Sequence, residues 1–195
     1  KKLGIEPVIN AQSWVTVLGG SLMKPEVLSA MNEASSVFVD MIKLNKSAGD
    51  FIAKICNAEK GLITSGCAAA QVLMVSACMT GKDEGKIDLL PSSDLEKNQV
   101  LLHSKQRNRY EKSFTMPGAT IVEFSSEKEL KSLISNKTAC VAYVLAPWLS
   151  RGLGLSRTID LAHEKDVPVI MDAAAELPPR ANLSKFIDMG VDLVA

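Results

Sequence analysis

Apolar and polar residues along the chain form blocks of two kinds. From residue 61 onward, short runs that are apolar throughout alternate with longer stretches in which apolar residues recur at helical spacing. Runs of the first kind are typical of parallel strands covered on both faces, so the alternation predicts an α/β fold of three layers, with a mostly parallel sheet flanked by helices. The predicted strands lie at residues 62–64, 100–103, 120–124, 140–145, 167–172 and 192–195, the predicted helices at 68–79, 127–135, 156–165 and 183–189, and an irregular surface loop at 80–99.

The pattern before residue 57 is different. Two short apolar segments followed by Gly19 and Gly20 predict an extended arm. Pro25, a residue favoured in the first helical turn, opens a helix, and a second helix follows at 47–56. We therefore predict an N-terminal arm with helices at residues 1–56 and a main domain at 57–195.

Composition narrows the class of protein. The chain of 195 residues carries 22 basic and 22 acidic side chains, so no net field favours nucleic acid or an anionic membrane surface. Its four cysteines show no metal-type spacing, so we expect no metal site and a reducing, cytoplasmic setting. No segment approaches the roughly 20 apolar residues that cross a bilayer.

Candidate chemistry lies at two predicted strand ends. Asp172 ends the apolar run 167–172, where ligands bind in open α/β sheets, although a helix cap or salt bridge would explain it equally well. Ser65 and Gly66 precede a helix of small residues whose first amides suit a phosphate, although a plain tight turn is the commoner reason for this pattern. A less favoured alternative is that Cys67, at the start of that helix, is a reactive thiol, because a helix N-terminus lowers the pKa of a thiol.

Four motifs in order carry a resemblance to a known family. They are Pro-Val-Ile-Asn at 7–10, Leu-Gly-Gly-Ser-Leu-Met at 18–23, Thr-Ser-Gly-Cys-Ala-Ala-Ala at 64–70 and Val-Ile-Met-Asp-Ala-Ala-Ala-Glu-Leu-Pro-Pro at 169–179. Together they resemble the selenocysteine synthase-like branch of the fold-type I pyridoxal phosphate (PLP) enzymes. That branch includes L-seryl-tRNA(Sec) selenium transferase and the D-glucosaminate-6-phosphate ammonia-lyases.

The resemblance implies a fold, a cofactor and roles for particular residues. The fold would be the aspartate aminotransferase-like large domain of PLP-dependent transferases. Ser65, Gly66 and Cys67 would hold the phosphate of pyridoxal 5'-phosphate, Asp172 would pair with its ring nitrogen, and Ala174 would pack on one ring face.

The resemblance also extends to the last residues of the chain. Asp-Leu-Val-Ala at 192–195 matches the family's lead-in to a Ser-Gly-Gly-Lys segment, whose lysine carries the cofactor as a Schiff base. We expect that catalytic lysine just after Ala195, and a C-terminal small domain beyond it. The opening at the 7–10 motif, without the selenium transferases' extra N-terminal domain, makes the resemblance to the ammonia-lyases closer.

A polar segment after the strand 100–103 holds further candidates. Gln106 stands where related sequences have a histidine that approaches the cofactor, and we assign it to the cofactor site by that resemblance. Arg107 and Arg109 suit a substrate carboxylate or phosphate, although exposed arginines are usually only solvated. His103 is a possible replacement for the family histidine, but a lone histidine in an apolar run is more often a core residue.

By this resemblance the chain represents a PLP-dependent lyase or transferase, with β-elimination of the ammonia-lyase type on an amino acid or amino sugar acid as the expected reaction. Selenium transfer onto seryl-tRNA is one alternative, disfavoured by the neutral net charge. A catalytically silent binding or interaction protein is the other. The family implies a homodimer or larger homo-oligomer, with the arm at residues 15–22 as a partner contact or an active-site cover. We expect a small-molecule substrate, and neither nucleic acid nor membrane as a partner.

Overall fold

A computed structural model describes residues 3–12, 15–92, 94–150 and 152–195. The chain divides after Leu44 into two compact units. The first unit has no buried side chain among its described residues, whereas the second contains the whole sheet and both hydrophobic clusters. The division lies 12 residues before the predicted limit of the arm and helices at residue 56, and the finer domain assignment stays a prediction.

Eight α-helices and five strands are found in the described residues, with three short 3-10 turns. The helices are α1 (Pro25–Ala34), α2 (Met41–Cys56), α3 (Cys67–Thr80), α4 (Glu84–Asp88), α5 (Lys112–Thr115), α6 (Glu127–Leu133), α7 (Leu155–His163) and α8 (Asn182–Asp188). The strands are β1 (Gln99–His103), β2 (Thr120–Phe124), β3 (Thr138–Val144), β4 (Val169–Asp172) and β5 (Leu193–Val194). None of these helices is both long enough and apolar enough to cross a membrane.

The sheet of the second unit is parallel throughout, in the order β2-β1-β3-β4-β5. Every residue of β3 is buried, as expected for a central strand with helices on both faces. One face packs against α3 through a cluster that includes Met74, Val75, Val100, Ala142 and Ile170. The opposite face packs against α6, α7 and α8 through a cluster that includes Leu101, Leu130, Val141, Leu161, Met171 and Phe186. The predicted three-layer α/β architecture is therefore confirmed.

Three predicted elements differ from the structure. Residues 62–64 belong to no strand, the loop 80–99 contains the helix α4, and the second helix begins at Met41 rather than near residue 47. The predicted extended arm instead contains a 3-10 turn at Thr16–Leu18, closed by an antiparallel bridge between Val15 and Gly20. Trp14, also placed in the arm, lies outside the described residues.

The segment that leads into α3 is held by α2 rather than by a strand ladder. The side-chain amide of Asn45 donates to the carbonyl of Ile63 over 3.2 Å. Gly49 and Gly61 touch through their backbones, since a Cβ added to Gly49 would lie 2.1 Å from the carbonyl oxygen of Gly61. Helix α2 thus fixes where the chain enters the turn at residues 64–66, and that turn opens the candidate site.

Candidate cofactor site at the carboxyl edge of the sheet

Asp172 ends β4 at the carboxyl edge of the sheet, paired in register with Val144 at the end of β3. Its side chain is partly buried. The Oδ1 atom accepts a hydrogen bond from the backbone N–H of Ala174 over 3.1 Å and one from the thiol of Cys67 over 3.5 Å. Among the described residues nothing donates to Oδ2, so this oxygen is left for a donor brought by a ligand.

The turn before α3 presents unused backbone donors. Gly66 is the N-cap, with φ 147° and ψ 174°, a conformation that is essentially restricted to glycine. No side chain caps the helix, and in the described part of the chain the N–H groups of Cys67, Ala68 and Ala69 have no acceptor. Ser65 beside them is exposed. These amides lie at the positive end of the helix dipole, which suits an anionic group such as a phosphate.

Cys67 links the two halves of the site, because its backbone belongs to the turn and its thiol contacts Asp172. Burial, and next the neighbouring carboxylate of Asp172, raise the pKa of the Cys67 thiol to about 12. This direction argues against the alternative of a reactive thiol with a lowered pKa at this helix start. The thiol stays protonated and acts as a hydrogen-bond donor.

The turn and the carboxylate could have lain at opposite sides of the molecule, and they do not. The 3.5 Å contact between Cys67 and Asp172 joins them. Ala174 is exposed beside Asp172, and a Cβ added at Gly66 would meet no atom within 4 Å, so each of the two groups has open space next to it. The residues present fit a flat ligand that carries an anion at one end and a ring N–H at the other.

Gln106 has a structural contact that its sequence did not indicate. Its side chain is fully buried, and its Oε1 accepts the backbone N–H of Val144 over 3.0 Å. Gln106 therefore bonds to the last residue of β3, the residue that is in register with Asp172 of β4. A role for Gln106 in binding the cofactor stays a prediction.

The two candidate arginines have different surroundings. Arg107 forms a bidentate ion pair with Glu111, in which Nε lies 2.5 Å from Oε2, and its Nη1 pairs with Glu123. The pairing raises the pKa of Arg107 and lowers that of Glu111. Arg109 is exposed, lies 5.4 Å from the ring centre of Tyr110, and has no carboxylate partner among the described residues. Arg109 is therefore the arginine whose guanidinium is accessible to a ligand.

His103 is buried and fully engaged. Its Nδ1 accepts the backbone N–H of Lys105 over 3.1 Å, the backbone of Ser125 accepts from its ring, and Phe124 packs edge-on with ring centres 5.1 Å apart. Burial lowers its pKa. The structure thus favours the core histidine over a replacement for the family histidine.

A buried glutamine that the sequence analysis overlooked also contacts the site. Gln71, one turn after Cys67 on α3, donates from Nε2 to the sulfur of Cys67 over 3.1 Å and is only 2% exposed. Its partner on the other side is Ser113 of α5, 42 residues away. A glutamine in an apolar helix has no motif of its own, so only the three-dimensional contact identifies it.

The fold and the position of the site define the class. A parallel sheet covered on both faces, with an uncapped helix start beside a strand-end carboxylate, has the large-domain fold of the aspartate aminotransferase-like, fold-type I PLP-dependent enzymes. The solved aspartate aminotransferase of Thermotoga maritima shares this fold, with a TM-score of 0.51 and 16% identity over 88% of this chain and 47% of that protein.

More similar relatives are found among characterised proteins. The chain is 31% identical to the D-glucosaminate-6-phosphate ammonia lyase of Salmonella typhimurium, over 100% of this chain and 54% of the relative. A solved D-glucosaminate-6-phosphate ammonia-lyase superposes with a TM-score of 0.92 at 31% identity, over 99% of this chain and 54% of that one. The 5'-C-glycyluridine monooxygenase-decarboxylase of a Streptomyces species is 30% identical over 98% of this chain and 50% of the relative. No family model matches the chain.

The chain is thus a homologue of D-glucosaminate-6-phosphate ammonia lyase with the fold of the fold-type I PLP-dependent enzymes, and the predicted resemblance to the ammonia-lyases and the predicted fold are confirmed. It spans about half the length of the curated relatives that it matches.

Proposed function

We propose that this protein binds pyridoxal 5'-phosphate and acts as a lyase that eliminates a β-leaving group from an amino acid or amino sugar acid, in the manner of the ammonia-lyases. The observation that carries the proposal is the contact between Cys67 and Asp172, because it puts a helix start suited to a phosphate beside a carboxylate suited to a ring N–H. Homology to the ammonia lyase supports the reaction class.

The proposed roles follow from the contacts. The amides of Cys67 and Ala68, with the hydroxyl of Ser65, hold the phosphate, and the Oδ2 atom of Asp172 accepts the ring N–H. The small side chain of Ala174 leaves room for a flat ring. When bound, pyridoxal phosphate supplies an electron sink that makes loss of a proton beside a substrate nitrogen feasible. The carboxylate of Asp172 maintains that property by stabilising the protonated ring nitrogen.

Arg109 is the residue we propose for the substrate. Its guanidinium is exposed and free of carboxylate partners within the described chain, so it can pair with a carboxylate or phosphate of the substrate. Arg107, by contrast, uses its guanidinium to hold Glu111 and Glu123. This pairing favours a supporting role for Arg107, in which it fixes the segment that carries Arg109.

The assembly and setting are proposed from the exposed surface and the composition. Apolar side chains of the first unit are exposed, among them Val27, Leu28 and Met31 on one helix and Phe38 after it. Exposed apolar surface of this extent favours contact with a second copy in a homodimer or larger homo-oligomer. We also propose a cytoplasmic setting and membership of the selenocysteine synthase-like branch, on the cysteine pattern and the sequence motifs.

The test uses the full-length protein with pyridoxal phosphate. We expect a visible absorbance band that borohydride removes, and ammonia release from D-glucosaminate 6-phosphate or a related amino sugar acid. Asp172→Asn should lower the rate of ammonia release about tenfold to a hundredfold, because hydrogen bonds to charged groups contribute about 1.5–3 kcal/mol. Asp160→Asn, which changes an exposed carboxylate on α7, is the matched control and should leave the rate unchanged.

Three outcomes would contradict the proposal in different ways. A colourless protein that takes up no pyridoxal phosphate would favour a silent binding protein. Oxygen consumption with release of carbon dioxide and no ammonia would favour the reaction class named for the Streptomyces relative. Retention of tRNA on a filter at physiological salt would favour selenium transfer.

A further inference from the structure

A series of hydrogen bonds connects the candidate cofactor site to α5, a helix that is distant in sequence. It starts at Asp172, passes to the thiol of Cys67 over 3.5 Å, and continues to the Nε2 atom of Gln71 over 3.1 Å. The Oε1 atom of Gln71 then accepts from the hydroxyl of Ser113, which also lies 3.0 Å from the carbonyl oxygen of Tyr110. This series of hydrogen bonds thus ends on the segment that follows Arg109.

Because the residues of this hydrogen-bond series are buried, its geometry is well defined. Gln71 is 2% exposed and Ser113 is 4% exposed, so neither can exchange its partner for water without a rearrangement of the core. The oxygen of the Gln71 amide faces the Ser113 hydroxyl, and the nitrogen of that amide faces Cys67. The Cys67 sulfur receives this hydrogen bond, and its own proton points to Asp172.

Consequently only one of the two oxygens of the Asp172 carboxylate accepts hydrogen bonds from the described residues. Both donors, the Cys67 thiol and the Ala174 backbone N–H, bond to Oδ1. Two donors on one oxygen fix the rotation of the carboxylate, so Oδ2 keeps one direction. A ring nitrogen is bound best when its acceptor is oriented before the ligand arrives.

We propose that Cys67 and Gln71 act as a positioning pair, which orients the Asp172 carboxylate toward the ring nitrogen of the cofactor. The inference deepens the proposed function and rests on it. Cys67 then has two tasks: its backbone amide lies at the phosphate end, and its side chain orients the acceptor at the ring end. Gln71 holds the thiol in the rotamer that reaches Asp172, with Ser113 as its anchor.

The experiment compares single variants of the full-length protein after removal and titrated return of pyridoxal phosphate. Cys67→Ala removes the thiol donor, and Gln71→Met keeps the length of the side chain without its polar atoms. We expect each to raise the dissociation constant of pyridoxal phosphate about tenfold, the effect of one lost hydrogen bond near a charge. With cofactor labelled by ¹⁵N in the ring, its resonance should move toward the unprotonated nitrogen.

Rescue separates positioning from general damage to the fold. Cys67→Ser keeps a donor at the same place, so it should restore both the affinity and the ¹⁵N shift of the wild-type protein. Ser76→Ala removes a polar group from the same helix, where the Ser76 hydroxyl donates to the carbonyl of Val72, and should change neither. Thermal midpoints of the apo-proteins identify any variant that is unfolded.

Each result decides between the inference and the proposed function. Folded Cys67→Ala and Gln71→Met proteins that bind pyridoxal phosphate as tightly as wild type, with the same ¹⁵N shift, would overturn the positioning pair and leave the proposed function intact. A loss of affinity in Cys67→Ala that Cys67→Ser does not restore would also overturn it. Wild-type protein that binds no pyridoxal phosphate would instead refute the proposed function, and this inference with it.

Discussion

Two places at the same edge of the sheet carry polar side chains, and they differ in how many of their hydrogen-bonding groups are already used. At the end of β4, Asp172 keeps one carboxylate oxygen open beside the unbonded amides that begin α3. At the end of β1, His103 has partners for its ring, Gln106 is bonded to Val144, and Arg107 is paired with two glutamates. Of the groups named here, those at the end of β4 keep donors and acceptors available to a ligand; on the segment after β1, Arg109 is the candidate residue that stays open.

The comparison teaches that residue type alone does not identify a site. A histidine, a glutamine and an arginine offer more chemistry than a glycine and an alanine, yet their groups are satisfied within the protein. The strand ends near β4 combine an open oxygen, open amides and small residues such as Gly66 and Ala174. Removing a satisfied group costs stability, whereas removing an open one costs ligand affinity, and experiments can separate these two effects.

The largest effect on cofactor affinity should come from Gly66→Ala. The backbone of Gly66, at φ 147°, is in a region that residues with a Cβ adopt only at a cost of about 1–3 kcal/mol. The turn will move to avoid that strain, and the first amides of α3 will move with it. We expect the dissociation constant of pyridoxal phosphate to rise about thirtyfold, equivalent to about 2 kcal/mol. Calorimetric titration of the full-length apo-protein measures it.

Gly154→Ala provides the matched control. Gly154 is also the N-cap of a helix on this sheet and also has no atom within 4 Å of an added Cβ, but its φ of −64° is ordinary for any residue. The Gly154→Ala protein should bind pyridoxal phosphate as the wild type does. Equal losses of affinity in both variants would mean that the turn at Gly66 has no special role and that the start of α3 is not the phosphate site.

The sequence patterns identified the unpaired groups near the end of β4 better than they identified the paired groups at the end of β1. An apolar run that stops at Asp172 and a Ser-Gly turn before small residues are local patterns, and the structure joins them at 3.5 Å. The partners of His103 and Gln106 come from residues up to 38 positions away, so no local pattern shows that these side chains are saturated. The same is true of the bond between Gln71 and Ser113, which are 42 residues apart.

The incorrect prediction of a strand at residues 62–64 has a similar cause. Leu62 and Ile63 form a short apolar run, yet they are 59% and 46% exposed and pair with no strand. A run this short does not distinguish a strand from an extended segment, because the difference is a ladder with a distant partner. Here Asn45 and Gly49 of α2 hold the segment instead.

An intermediate effect is expected at the two arginines, where the comparison can be sharpened within one segment. Arg109→Gln should raise KM for an anionic substrate about tenfold with little change in thermal stability, because an open guanidinium contributes one charged hydrogen bond. Arg107→Gln should lower thermal stability and leave KM within about twofold, because it breaks the pairs with Glu111 and Glu123. Steady-state kinetics and thermal midpoints check both. The reverse pattern would assign the substrate to Arg107.

The smallest effect concerns the pH dependence of stability at the satisfied end. Burial keeps the pKa of His103 in the folded protein below that of an unfolded histidine, which is about 6.5. Neutral His103 therefore favours the folded state. Its contribution is fully present above pH 6.5 or so, and is lost progressively as the pH falls from there toward the lower folded pKa, because the unfolded chain takes up the proton first.

Urea unfolding of the wild type and His103→Gln at about pH 7.5 and about pH 5.5 tests this sign. Glutamine can still accept the backbone N–H of Lys105 but does not titrate, so the variant should lose less stability between the two pH values than the wild type does. An equal loss in both would mean that His103 is as free to take up a proton when folded as when unfolded. The end of β1 would then be open to protons and ligands, and its contrast with the end of β4 would fail.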